Sequence, residues 1–463
     1  MSATYHLSAL KLPGGRTVQV PEYMVDLAFT VIIWLLNLPV FEVYGNFAST
    51  ALIIYNMFWR DRVWQSLVTL ILLLFLNPVL FNTENFSYLR WVLIIAAFLK
   101  EAFRSRFEIP KVFLIFTPFL AFTFIHSLAV SFIPVLSLFK IFLMGIGIFT
   151  LTKVRNPRDI SLEWLVGVIG VILVTSLLTL PFLSIGFAVN GRGFQGILNH
   201  PQAFGLINAV FAMTLILLSR RVSLKLRRFM MAGGLLLSGY VVLSNARTAL
   251  LALALVVFFR EAVSLRRRFT LPRLIVLLIV AAVCAVSSTV ILDRVEALLF
   301  KRSGAASLTQ AAIASRGEIV DNSLKNIGLY PWTGIGFGVP SNLSEKAIVR
   351  DPFLGLPLSA PIEKGVFITA ITEELGYPGA VIYALTLLVL VGYVLSRRDL
   401  DRFFLLIMFF LINLGEMVMF SFGALGLLGW ALVLGFPHLK PRQLHSTKTL
   451  SLPAALPPAR TEA

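Results

Sequence analysis

Apolar runs separated by short polar connections recur along the chain from Met24 to Phe436. Each run is on the order of 15–20 residues, enough for a helix to cross a hydrocarbon core of about 30 Å. The pattern predicts spans at 24–41, 46–59, 63–80, 88–103, 111–130, 132–151, 162–185 and 201–219, then at 229–243, 247–260, 273–292, 379–396, 403–419 and 422–436. Several are short for a full crossing, and one such pair read as a re-entrant hairpin brings the expected count to about 12–14 transmembrane helices. The expected fold class is an all-α integral membrane protein, a polytopic helical bundle with one large extramembrane loop.

Composition agrees with that reading. Of 463 residues, 58% are hydrophobic and 14% charged, whereas soluble domains run at about 45–50% apolar and about 25% charged. The excess of 40 Lys+Arg over 23 Asp+Glu would suggest nucleic acid in a soluble chain. Here the basic residues fall in the connections, so no nucleic-acid partner is expected. The single cysteine, Cys284, lies in an apolar run, which excludes an intrachain disulfide and disfavours a metal cluster. No cofactor is expected.

Orientation follows from the charge of the connections. Basic clusters fall at Arg60/Arg62, Arg104/Arg106/Lys111, Lys153/Arg155/Arg158, Arg220–Arg228, Arg266–Arg268/Arg273, Arg397/Arg398/Arg402 and Lys440/Arg442. Successive clusters are separated by two spans, so all face one side, the cytoplasm, together with both termini. The expected organisation is a cytoplasmic segment 1–23, helices 1–11 over 24–292, a large external loop 293–378, C-terminal spans over 379–436, and a tail 437–463. The tail, "LPAALPPARTEA" at its end, has the composition of a disordered segment. Within the loop, Ile313, Arg316, Val320, Leu324 and Ile327 fall on one helical face before "YPWTGIGFG" breaks the pattern.

The external side should be poor in basic residues, so each one there calls for a reason. Arg192 lies in "GRGFQGILNHPQAFG", Arg247 in "LSNARTALLALAL", and Arg316 on the apolar stripe of the loop helix. Three arginines from three segments suggest a converging anion site, and the planar guanidinium fork suits phosphate. Solvation of Arg192, headgroup snorkelling by Arg247, and pairing of Arg316 with Glu318 or Asp321 are the plainer readings.

"GRGFQGILNHPQAFG", "LSNARTALLALAL", "SRGEIVDNSLKNIGLYPWTGIGFG" and "EKGVFITAITEELGYPGAVIY" occur in this order over the C-terminal part of the chain. Together they resemble the O-antigen ligase and polymerase superfamily of bacterial envelope polysaccharide enzymes, which are glycosyltransferase-C-like and metal-independent. The resemblance implies an inner-membrane protein with a periplasmic loop. It implies a donor glycan on undecaprenyl diphosphate, a glycan or lipid-linked acceptor, and contact with membrane lipid. A chain-length regulator and a flippase of the same pathway are the implied protein partners. It places the donor diphosphate on Arg192, Arg247 and Arg316, where fixed cations stabilise the departing group.

Family ligases carry a histidine about ten residues before a Gly-x-x-Gly pair. The pair is present as Gly376 and Gly379, but the preceding stretch contains no histidine, and its ionisable groups are Glu363 and Lys364. This departure turns the resemblance toward the polymerases, with Glu363 as the acceptor-activating carboxylate. Its alternative is a scaffold pair with Lys364. Lys364 and Glu374 are further candidate substrate contacts. Glu373 and Glu374 are alternatives to Glu363 for that carboxylate, and their plainer reading is a solvated helix surface. His200, before Pro201, fits a helix-capping role better than catalysis, with substrate contact as the alternative. His126 reads as a buried or interfacial span residue. A transporter of lipid-linked sugars, the rival from another class, should show mid-span ionisable residues and internal repeats, and this chain instead concentrates its unusual residues at one surface.

Overall fold

The computed structural model of the chain describes residues 7–11, 17–83, 85–154, 159–189, 191, 193–267, 320–342, 349–350, 357–359, 364 and 366–440. The expected span 273–292 with Cys284, the loop positions Ile313 and Arg316, the tail beyond 440, and the candidates Arg192 and Glu363 lie outside the described residues.

The described residues form a helical bundle with two short antiparallel ribbons, β1 (Leu7–Lys11) with β2 (Thr17–Pro21) and β3 (Val349–Arg350) with β4 (Pro357–Ser359). The helices are α1 (Glu22–Leu35), α2 (Glu42–Phe58), α3 (Val63–Leu74), α4 (Phe86–Arg104), α5 (Lys111–Ala129), α6 (Pro134–Lys153), α7 (Leu162–Thr179) and the single turn α8 (Leu183–Gly186). They continue with α9 (Pro201–Leu218), α10 (Leu224–Leu243), α11 (Arg247–Arg267), α12 (320–329), α13 (Phe367–Ser396), α14 (Leu400–Asn413) and α15 (Leu425–Gly435). Every expected span apart from 273–292 coincides with a helix.

Six of these helices are long and apolar enough to cross a membrane, or seven if the pair α1 and α2, bent by 73°, counts as one span. This is a count of the described residues, which leave out the expected span 273–292; among the helices they contain, two physical reasons keep others from qualifying. Helices α3, α14 and α15 are too short to cross alone, and α4 and α11 carry several charges, among them Lys100, Glu101, Arg260 and Glu261. Helix α9 is buried on nearly every side and packs against α10, α11, α14 and α15, so it forms the axis of the C-terminal half.

The two ends of the bundle differ in chemistry. At one end the basic connections meet acids: Arg60 and Arg62 hold Asp26 at 2.6 and 3.0 Å, and Lys100 holds Asp61 at 2.8 Å. Arg220 reaches Glu261 at 3.2 Å, and Arg221 reaches Asp401 at 3.2 Å. Asp159 caps α3 there, accepting from the backbone N–H groups of Trp64 and Gln65 at 2.8 and 3.1 Å. Its burial pushes the carboxyl up to about 7, although both N–H groups oppose the rise.

At the far end the intervening connections are sewn to one another by backbone bonds. Asn82 donates to Asn37, Asn77 to Ile197, Phe132 to Ile335 and Phe194 to Leu243, all between 2.7 and 2.9 Å. The connections that carry Arg60, Lys100 and Arg220 thus lie at one end of the bundle, and those around Asn37, Asn77, Phe132 and Phe194 at the other.

Candidate functional site

The far end gathers the motifs singled out in the sequence. Pro201 opens α9, and His200 is its N-cap, with Nδ1 accepting from the Gln202 N–H at 3.1 Å. Histidine here closes an orphan donor of the first turn, which is the capping role. The preceding segment is pinned along its length. Gln195 N–H donates to Gly186 at 2.7 Å, and the buried Phe194 ring packs against Phe204 and Tyr240 at 5.3 and 5.6 Å.

This segment packs directly on the turn that precedes α11. A Cβ at Gly205 would lie 2.2 Å from the Ala246 Cβ, so only glycine admits the approach of α9 to that turn. A Cβ at Gly193 would lie 2.9 Å from the Ser244 carbonyl oxygen. Two of the three arginine-bearing segments are thus brought together. Arg192, the chain neighbour of Gly193, lies outside the described residues, as does Arg316.

Arg247 is the first residue of α11 and is exposed. No ion pair or side-chain hydrogen bond holds it among the described residues. The first turn of α11 carries no acidic residue. A cation at a helix N-terminus opposes the helix dipole, so this position gains from an anion supplied from outside.

A second constellation surrounds the break in α13. Gly376 has φ 64° and ψ −179°, a backbone region open to glycine, and Pro378 follows two residues later. Proline has no N–H to give the Glu374 carbonyl, so the carbonyls before the break are free to accept from elsewhere. The "YPWTGIGFG" segment takes them: Ile335 and Gly336 donate to the carbonyls of Glu373 and Glu374, each at 2.9 Å, and Tyr377 donates to Pro331 at 2.8 Å. The expected loop boundary at Pro378 thus falls inside a helix that begins at Phe367.

The side chains of Glu373 and Glu374 correct the expectation of a solvated helix surface. Both are buried, as is Lys364, whose Nζ lies 3.1 Å from Glu373 Oε2 and 3.2 Å from Glu374 Oε1. Glu373 also accepts from Ser323 and Ser341, each at 2.9 Å, and from Asn326 at 2.6 Å. Glu374 accepts from the Gly338 N–H at 2.8 Å. Two adjacent carboxylates therefore fasten α12, the 338–341 turn and the end of the loop to one break. Lys364 and Glu374, candidate substrate contacts by sequence, face each other and not an open surface.

His126 is buried as expected, with Nε2 against the Thr333 carbonyl, and Lys140 donates to the Gly338 carbonyl at 2.9 Å. Sequence reasoning missed the acid anchor. Its signal is the Glu-Glu pair just before a Gly-x-Pro break, matched by Ser323 and Asn326 one helical turn apart.

No curated protein matches the chain significantly. Residues 232–362 match a family model described as O-antigen ligase. That stretch covers the end of α10, the Arg247 turn and α11, and it runs through α12 and the glycine-rich segment to within two residues of Lys364. The chain is therefore a multi-span membrane protein whose residues 232–362 match the O-antigen ligase family model.

Proposed function

We propose that the protein is a bacterial inner-membrane polysaccharide polymerase acting on the periplasmic face. It transfers a growing glycan from undecaprenyl diphosphate to the non-reducing end of another lipid-linked repeat unit. The acceptor hydroxyl oxygen bonds to the anomeric carbon, the bond from that carbon to the diphosphate breaks, and undecaprenyl diphosphate departs. Glu363 takes the hydroxyl proton. Arg192, Arg247 and Arg316 receive the charge that builds on the leaving group, in the place a divalent ion fills in other transferases. Lys364, Glu373 and Glu374 serve as scaffold.

One observation carries this reading: the packing of Gly193 and Gly205 against Ser244 and Ala246, which joins two arginine-bearing segments at the end away from the basic connections. The match over residues 232–362 supports the lipid-linked glycan as substrate class. The absence of a histidine before the Gly376 break supports polymerase over ligase. Both termini are cytoplasmic in this reading, and a flippase and a chain-length regulator act beside the enzyme.

Gene deletion followed by analysis of envelope glycans tests it. Loss of a polymerase leaves single repeat units on carrier or acceptor. Long chains accumulating on the carrier would make the protein a ligase instead, and unflipped precursor held on the cytoplasmic face would make it a transporter.

A further inference from the structure

The apolar pattern conceals one more cation at the far end. Arg90 falls inside the expected span 88–103, yet it stands in the second turn of α4, at the end opposite Arg104. The guanidinium is half-buried. Its Nη1 donates to the Gly423 carbonyl at 3.3 Å, and its carbon lies 4.3 Å from the centre of the Trp91 ring. Its Nε is buried without a partner, and no carboxylate stands within ion-pair distance among the described residues. The helix itself adds no compensation, because its first turn holds no acid and Asn85 makes no side-chain cap. A cation set in an apolar bundle without a counter-ion marks the place of an anion, and the guanidinium fork favours phosphate.

Position separates Arg90 from Arg247. Both border the connection 414–424, but at opposite ends. Thr248, beside Arg247, meets Gly415, whereas Arg90 meets Gly423. Helix α4 packs on α2, α3 and α6, while α11 packs on α9, α10 and α14. A chain-extending transferase must hold two lipid diphosphates together, one on the donor and one on the acceptor. We infer that Arg90 binds the diphosphate of the second lipid-linked substrate, the acceptor. This rests on the polymerase reading for the identity of the lipid, and on geometry alone for the phosphate.

The full-length protein in nanodiscs tests the inference with both lipid-linked substrates. Arg90→Ala should raise the KM for the acceptor by about tenfold or more, as expected for a lost charge-assisted hydrogen bond, and leave the donor KM within about twofold. Arg90→Lys should fall between. Equal effects on both substrates, or none, overturn the inference.

Native mass spectrometry with undecaprenyl diphosphate keeps the test independent of turnover. The parent should hold two molecules, Arg90→Ala one, and Arg247→Ala one. A parent that holds one, or an Arg90→Ala protein that keeps two while losing phosphatidylglycerol, overturns the inference by assigning the phosphate to an ordinary phospholipid. Loss of one carrier in Arg90→Ala, from a protein whose deletion leaves glycans unchanged, would sink the polymerase reading and leave the phosphate site standing. Glu84, outside the described residues, serves as control: Glu84→Gln reproducing the Arg90→Ala result would make the counter-ion internal and overturn the inference.

Discussion

The Nζ of Lys364 sits between two carboxylates, 3.1 Å from Glu373 and 3.2 Å from Glu374, with the Lys364 and Glu373 side chains at 0% and Glu374 at 1% exposure. Removing one partner of a buried pair strands the other without solvent. Lys364→Met should therefore destabilise the protein by about 3–5 kcal/mol, read as a lower melting temperature in detergent. Adding Glu373→Gln and Glu374→Gln should restore much of the loss, because the amides still accept from Ser323, Ser341 and Gly338. No recovery in the triple variant would show that the charges themselves hold the loop end.

Arg247 should behave in the opposite way. It is exposed and meets no partner among the described residues, so Arg247→Ala should change stability by less than about 0.5 kcal/mol. Polymer formation should nevertheless fall by tenfold or more, on the order of one charge-assisted contact. A melting temperature that drops together with activity would make Arg247 structural.

At Gly376 the backbone, not the side chain, carries the argument. An added Cβ would lie 2.4 Å from the Trp332 carbonyl, in a conformation that costs other residues about 1–3 kcal/mol. Gly376→Ala should loosen the attachment of the 330–338 segment, measured as faster hydrogen exchange at Ile335, Gly336 and Tyr377. Unchanged protection there would refute it.

Asp159 gives a pH dependence whose sign is fixed. Its folded carboxyl is raised from the ordinary 3.8 to about 7. The folded state therefore binds the proton more tightly than the unfolded state between those values. The associated stability is complete at acid pH and is lost as pH rises through about 7. The melting temperature should be higher at about pH 5.5 than at about pH 8, and Asp159→Asn should flatten the difference. A variant with the same slope would assign the effect to another group.

Much of the bundle was legible because apolar runs of membrane length admit few other structures. That Arg60, Arg104 and Arg220 fall in connections two spans apart, and not beside the Gly193 and Arg247 segments, was legible from the order of the runs alone. What the sequence concealed were contacts between distant segments. The Glu-Glu pair before the Gly-x-Pro break is a local signal, but it does not name the partners of Glu373 and Glu374, because Ser323, Gly338 and Lys364 come from three separate stretches. Arg90 was concealed differently: it lies among apolar neighbours, and its lack of a counter-ion is visible only in three dimensions. The short helices α3, α14 and α15 likewise read as spans because hydropathy does not report where a helix stops.

The hydrogen bonds from Ile335 and Gly336 to the broken helix also set an order of events in biosynthesis. Their acceptors, the carbonyls of Glu373 and Glu374, are made some forty residues after the donors and become available only when the helix that begins at Phe367 has formed. Until then the 330–338 segment is held only by the earlier helices, through Phe132, His126 and Lys140, and its N–H groups at 335 and 336 lack their acceptors. The glycine-rich segment is thus fastened last from its C-terminal side, and a nascent chain stalled before Phe367 would leave the N–H groups of Ile335 and Gly336 without acceptors.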